Sequence, residues 1–170
     1  MQTVVEQEKK TDITKTSSHE GKYLTFILCN EEYGIEILKV REIIGVMPIT
    51  PVPQTPTFIK GVINLRGKVI PVIDLRLKFG FNEAEHTKET CIIVVEVVNT
   101  LTGIIVDTVS EVLDVSSEEM ESSPRFGSSV NTEIFLGMAK IKGRVKILLD
   151  IDKILNTEEL NMAESLASMK

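Results

Sequence analysis

Apolar residues in this chain fall in short runs separated by small polar turns, which is the spacing of strands rather than of long helices. Tyr23-Leu24-Thr25-Phe26-Ile27-Leu28 is apolar, Asn30-Glu31-Glu32 is a polar turn, and Tyr33-Gly34-Ile35-Glu36-Ile37 alternates; together they predict a β-hairpin. At Ile37-Leu38 the alternation slips phase. Val40, Ile43, Ile44 and Met47 match helical spacing, so the segment is either one helical turn over 38–42 or a bulged strand through 43–47. Pro48, Pro51, Pro53 and Pro56 then exclude helix and central strand and predict an extended crossing segment. Strands are predicted over 58–66 and 68–77 with a turn at Gly67, then over 91–98, 103–107, 111–115, 134–142 and 144–151. Pro71 is expected to put its strand at an edge or a bulge. A last helix is predicted over 158–167, where Asn156 and Glu159 have capping-box spacing.

Two collinear repeats organise these elements. Residues 61–75 align without gaps on 137–151 at an offset of 76, keeping Gly61/Gly137, Gly67/Gly143, Val69/Val145 and Asp74/Asp150, with a basic residue on each side of the turn. Residues 34–43 align on 103–112 at an offset of 69. Each half, about 22–82 and 90–155, thus carries hairpin, phase slip, crossing segment and hairpin in the same order. The sequence leaves open whether the halves exchange strands. Short strands with little helix to cover them leave edges, and small barrels remove most of those. The expected organisation is a flexible polar tail over 1–20, a domain over 21–156, and a C-terminal helix or tail over 157–170.

Composition narrows the role. Apolar residues are 42% of the 170, aromatics 5%, and Trp is absent, so Ile, Val and Leu must fill the core. The net charge of −6 argues against general binding of nucleic acid or anionic membranes. No apolar run approaches the roughly 20 residues that span a bilayer. Cys29 and Cys91 stand in apolar runs and read as buried thiols of a reducing cytoplasm. His19 and His86 lie in polar segments and read as solvated bystanders. No metal-ligand spacing, phosphate loop or nucleophile elbow is present, and Asp74 and Asp150 read as caps after their strands. Enzyme activity, cofactor and metal are therefore all expected to be absent. A competing reading is a nucleic-acid-binding small β-barrel, using the basic strip Lys140, Lys142, Arg144 and Lys146.

The stretches from Glu32 to Ile43, from Thr55 to Gly67 (with Phe58-Ile59-Lys60-Gly61-Val62 and Asn64-Leu65-Arg66-Gly67) and from Pro71 to Arg76 strongly resemble the CheW family, as do 103–109 and 148–155. The resemblance implies a mainly β fold of two Src-homology-3-like small β-barrel subdomains packed together, with short helical turns and a C-terminal helix. It implies a non-enzymatic scaffold in the cytoplasm, recruited to membrane receptor arrays. The implied partners are the regulatory domain of a CheA-type histidine kinase and the cytoplasmic tips of methyl-accepting chemoreceptors. A helical receptor tip needs an apolar groove with a few polar fixing groups. Ile37, Val40 and Ile44 are expected to supply groove surface, with Val106 and Val109 completing it from the other half. Gly61 is expected to allow close approach of a partner backbone. Asn64 and Arg66 share a strand face, and Arg66 is expected to pair with Glu42 and fix the loop that partners read.

Overall fold

The structure, a computed structural model, describes residues 20–121 and 134–168. The predicted tail therefore lies outside the described residues, apart from Glu20. Eleven strands form two sheets among the described residues. In chain order they are β1 (Gly21–Leu28), β2 (Glu31–Glu36), a 3-10 turn (Ile37–Lys39), β3 (Val40–Gly45), β4 (Ile59–Leu65), β5 (Lys68–Asp74), helix α1 (Leu75–Lys78), β6 (Cys91–Val97), β7 (Thr100–Val106) and β8 (Thr108–Val115). A second 3-10 turn (Ser117–Glu119), β9 (Met120–Glu121), β10 (Phe135–Ile141), β11 (Arg144–Leu149), a third 3-10 turn (Ile151–Lys153) and α2 (Thr157–Ala167) complete the order.

One sheet runs β8-β1-β2-β11-β10-β9 and the other β3-β6-β7-β5-β4. Exchanging each strand for its repeat partner converts one order into the other. The parallel pair β11–β2 sets Leu148 opposite Gly34, and β5–β7 sets Val72 opposite Gly103, at the same offsets of 76 and 69. The halves do exchange strands: each barrel takes one hairpin from one half and its remaining strands from the other, four (β8–β11) in the six-stranded sheet and three (β3–β5) in the five-stranded one.

Strand sequences are apolar on both faces because both faces are covered. Ile92 and Val94 point into a core of their own barrel with Ile63, Ile70, Val72 and Ile105. Tyr23, Val115, Ala139 and Leu148 fill the other barrel. The largest cluster lies between the barrels, where Leu24, Phe26, Leu28 and Ile35 meet Ile73, Ile93, Val95, Ile104 and Val106. Helix α2 sinks Ala163 and Leu166 into that shared core. Its start is fixed as expected, with Asn156 accepting from the Glu159 N–H at 2.8 Å and the Glu159 carboxylate accepting from the Asn156 N–H at 3.0 Å.

The phase slip resolves into both alternatives in succession: a 3-10 turn over Ile37–Lys39, then a strand starting at Val40 with a bulge at Arg41. The bulge recurs at Ser110, 69 residues on, where β8 pairs with β1. The first hairpin turns at Cys29-Asn30, one step earlier than the polar residues indicated. Cys29 is therefore a half-buried turn residue rather than a strand thiol, and Cys91 is also only partly buried. Pro71 is buried in an interior strand, β5, which corrects the edge expectation. It faces Val62, whose N–H and C=O are both bonded to Thr50, so no β4 ladder bond is missing there. The parallel ladder with β7 begins one residue later, at Val72.

Candidate functional site

The apolar residues expected to form a partner surface flank the two crossovers between sheets, Ile37–Lys39 leading from β2 to β3 and the single residue Asp107 between β7 and β8. Ile37, Val40 and Val109 are half-buried and pack their inner parts on the shared core. Ile44 points into the β3–β7 barrel. Val106 is 1% exposed and belongs wholly to the shared core, so it offers no side chain to a partner, contrary to expectation. The apolar residues that do stand out are others. Leu38 is 84% exposed, Val112 49% and Ile43 43%, with Val46 exposed beyond the end of β3. The repeat could have found two of them, since Ile43 maps onto Val112 at the offset of 69. Leu38 was passed over because it stands outside the apolar spacing of Val40, Ile43, Ile44 and Met47 from which the segment was read.

Gly61 is required by the chain itself. A Cβ there would lie 2.0 Å from the Thr50 carbonyl oxygen and 2.9 Å from the Pro51 Cα, at a backbone φ of +141°. The backbone that approaches it is the proline-rich segment, not a partner's, which corrects the sequence reading.

Arg66 and Glu42 pair as the sequence reading required. Arg66 Nη2 donates to Glu42 Oε1 at 2.9 Å and to Oε2 at 2.5 Å. Glu42 lies on β3 and Arg66 in the β4–β5 turn. Because β3 and β4 are the two ends of their sheet, the pair ties the barrel's edges together. Arg66 holds φ +52° and Gly67 φ +88°, a turn whose twist suits a two-residue hairpin. Asn64 is exposed and spends its side-chain oxygen on the Gly67 N–H at 2.9 Å, so it shapes the turn that presents Arg66. The equivalent charges in the other barrel, Glu111 and Lys142, form no ion pair among the described residues.

The basic strip is largely neutralised. Lys146 is 5% exposed and bonded to Glu32, Arg144 lies 3.5 Å from the same carboxylate, and Lys140 lies 3.8 Å from Glu121. Asp74 accepts from the Arg76 N–H at 2.9 Å and Asp150 from the Asp152 N–H at 3.1 Å, so both aspartates cap the segments after their strands. Burial raises the Asp74 carboxyl above its usual range, against the opposing pull of the Leu77 and Arg76 N–H groups. His86 is exposed, and no cluster of three metal-ligating side chains occurs among the described residues. A cleft of about 870 Å³ opens between Lys68, Ile70, Leu101, Glu164 and Ala167, and its lining, which includes Thr100 and Ser168, holds no histidine or cysteine. No helix among the described residues is long and apolar enough to cross a membrane.

Comparison with known proteins places this architecture. A protein-family model described as a CheW-like domain matches residues 22–159. The chain is 42% identical over 146 residues to the chemotaxis protein CheW of Klebsiella aerogenes, covering 86% of this chain and 88% of that one. It is 34% identical to the chemotaxis protein CheW of Thermotoga maritima, covering 85% and 93%. The crystal structure of the scaffolding protein TtCheW from Thermoanaerobacter tengcongensis superposes with a TM-score of 0.75 at 36% identity, covering 82% of this chain and 95% of that one. With the family model spanning nearly all the described residues and relatives of this identity matched over most of their length, the protein belongs to the CheW-like family.

Proposed function

We propose that this chain is a non-enzymatic scaffold of chemotaxis signalling that couples the regulatory domain of a CheA-type histidine kinase to the cytoplasmic tips of methyl-accepting chemoreceptors. The observation that carries the reading is the exposed apolar side chains of Leu38, Ile43 and Val46 along the crossover and β3, the strand whose Glu42 pairs with Arg66 at the barrel edge. Apolar anchors next to oriented polar groups are what a helical or barrel partner needs. Membership of a family whose relatives are named chemotaxis proteins, one of them a scaffolding protein, supports the same reading. The protein would act in the cytoplasm, at receptor arrays. The nucleic-acid alternative is weakened because three of the strip's four basic residues, Lys140, Arg144 and Lys146, are paired with Glu121 and Glu32.

Co-sedimentation with receptor signalling fragments and kinase tests this. Wild type should enter the pellet only with both partners present, and Arg66→Ala should lose about tenfold in retention. The pair is largely exposed, so the substitution should change stability by only about 0–1 kcal/mol. Folded wild type that ignores both partners, or that turns over a substrate, would overturn the proposal.

A further inference from the structure

Two aspartates hold the crossovers in place, and they do so with opposite charge arrangements. Asp107 accepts the Cys29 N–H on Oδ2 at 3.0 Å, and Arg76 grips it side-on, Nε to Oδ1 at 2.8 Å and Nη2 to Oδ2 at 2.7 Å. Cys29 belongs to the β1–β2 turn of one sheet, Arg76 follows β5 of the other, and Asp107 is the chain passing between them. The repeat builds the same clasp elsewhere. Asp152 accepts the Val98 N–H on Oδ1 at 3.0 Å and the Lys39 ammonium on Oδ2 at 2.6 Å. Val98 is the equivalent of Cys29 at the offset of 69, and Asp152 the equivalent of Arg76 at the offset of 76. Lys39 lies on the other crossover, one residue from the position equivalent to Asp107. In the first clasp the crossover carries the anion; in the second it carries the cation.

We propose that these charge-inverted clasps are positioning devices, which specify that unlike halves pair and which hold the two crossovers so that their neighbours form the partner surface. A barrel pair built from two first halves would set Lys39 against Arg76 and leave the Cys29 N–H without its carboxylate. One built from two second halves would set Asp107 against Asp152. Like charges at such half-buried positions are disfavoured, so only the heterologous arrangement satisfies both clasps. Lys39 is flanked by Leu38 and Val40, and Asp107 lies two residues from Val109. Fixing these crossovers therefore fixes the surface on which the proposed function rests.

The test is a charge exchange in the full chain. Arg76→Asp alone sets two carboxylates together, whereas Arg76→Asp with Asp107→Lys restores opposite charges in the order of the Lys39–Asp152 clasp, with the lysine one residue before the position equivalent to Lys39. Exchange of the Cys29 amide, followed by NMR, should accelerate about tenfold or more in Arg76→Asp and return to within about threefold of wild type in the double variant, with the Val98 amide unchanged throughout. Co-sedimentation with kinase and receptor fragments should fall and recover in parallel. If Arg76→Asp does not unfasten the Cys29 amide, or if the double variant fails to refasten it while its global stability returns, the clasp is refuted. If amide exchange follows the prediction but wild type never binds the partners, the clasp stands and the scaffold reading fails. Should Arg76→Asp fail to fold, Asp107→Asn keeps the question open to measurement. It retains an acceptor for Cys29 but weakens the hold on Arg76, and the same amide should loosen by a smaller factor; an unchanged amide overturns the proposal.

Discussion

Replacing Gly61 by alanine separates a demand of the fold from a demand of a partner. The added Cβ would meet three backbone atoms, Thr50 O at 2.0 Å, Thr50 C at 2.7 Å and Pro51 Cα at 2.9 Å, and none can swing aside as a side-chain end would. Relief requires the Thr50–Pro51 segment to retreat, which breaks the two hydrogen bonds it shares with Val62, 2.8 and 2.9 Å long. At about 1 kcal/mol net for each bond, and about 1–3 kcal/mol for alanine at φ +141°, the cost comes to roughly 3–5 kcal/mol. For a chain of this size that is a fall in melting temperature on the order of 10 °C. The repeat supplies a control. At Gly137 an added Cβ would meet one close backbone atom, Glu121 O at 2.7 Å, on the two-residue strand β9. Gly137, at φ +157°, shares the backbone cost but meets fewer close atoms, so Gly137→Ala should cost less. Urea unfolding of both variants, with calorimetry, measures the difference. If Gly61→Ala costs less than about 1 kcal/mol, or no more than Gly137→Ala, the assignment of Gly61 to internal packing is wrong.

Other expectations follow from the turns and the clasps. Val98 is β-branched yet holds φ +44°, a conformation costing such a residue about 1–2 kcal/mol, so Val98→Asn should stabilise by about 1 kcal/mol in urea unfolding. Burial alone would raise the Asp107 and Asp152 carboxyls. The hydrogen bonds from Arg76 and Lys39, helped by the Cys29 and Val98 N–H groups, instead hold both below the usual carboxylate range. Their contribution is thus fully present above the unfolded value near about 4 and is lost as pH falls through the lowered folded value. Asp107→Asn and Asp152→Asn should flatten the acid limb of the stability curve below about pH 4. Asp74, raised by burial, has the opposite sign: its charged form costs stability at neutral pH, and protonation relieves the cost as pH falls towards about 4. Asp74→Asn, which retains a cap, should remove that dependence.

What the sequence disclosed follows from which constraints are local. The turn at Gly67, the capping box before α2 and the caps at Asp74 and Asp150 are set by neighbouring residues, and each was legible, whereas the first hairpin turned one residue before its polar run. The repeat was legible too, and it predicted the equivalence of the two sheet orders without showing strand exchange, because exchange depends on which partner completes a sheet rather than on any segment's own preference. Arg66–Glu42 was readable because strand alternation holds through β4. Val106 was misplaced for a related reason. The strands are apolar on both faces, so alternation cannot separate barrel interior from the core between barrels, still less from surface. Leu38 escaped notice because it lies outside the helical spacing of Val40, Ile43, Ile44 and Met47 that follows it.

The same duplication explains why the two barrel ends are not interchangeable. Glu42 and Arg66 have counterparts of like charge in Glu111 and Lys142, on equivalent elements, yet only the first pair closes its barrel. A local difference lies opposite the repeated bulge. Thr25 donates its hydroxyl to the Glu111 carbonyl at 2.8 Å and accepts the Glu111 N–H at 3.1 Å, fixing that backbone onto β1. The residue equivalent to Thr25 at the offset of 69 is Val94, which has no hydroxyl and points into its barrel core. One hydroxyl thus fastens the bulge of β8, while on β3 the corresponding hold comes from side chains, Arg41 to Glu96 and Glu42 to Arg66. The duplicated fold therefore supplies two equivalent frames, and a few unshared side chains decide which frame closes its edge with a charge pair.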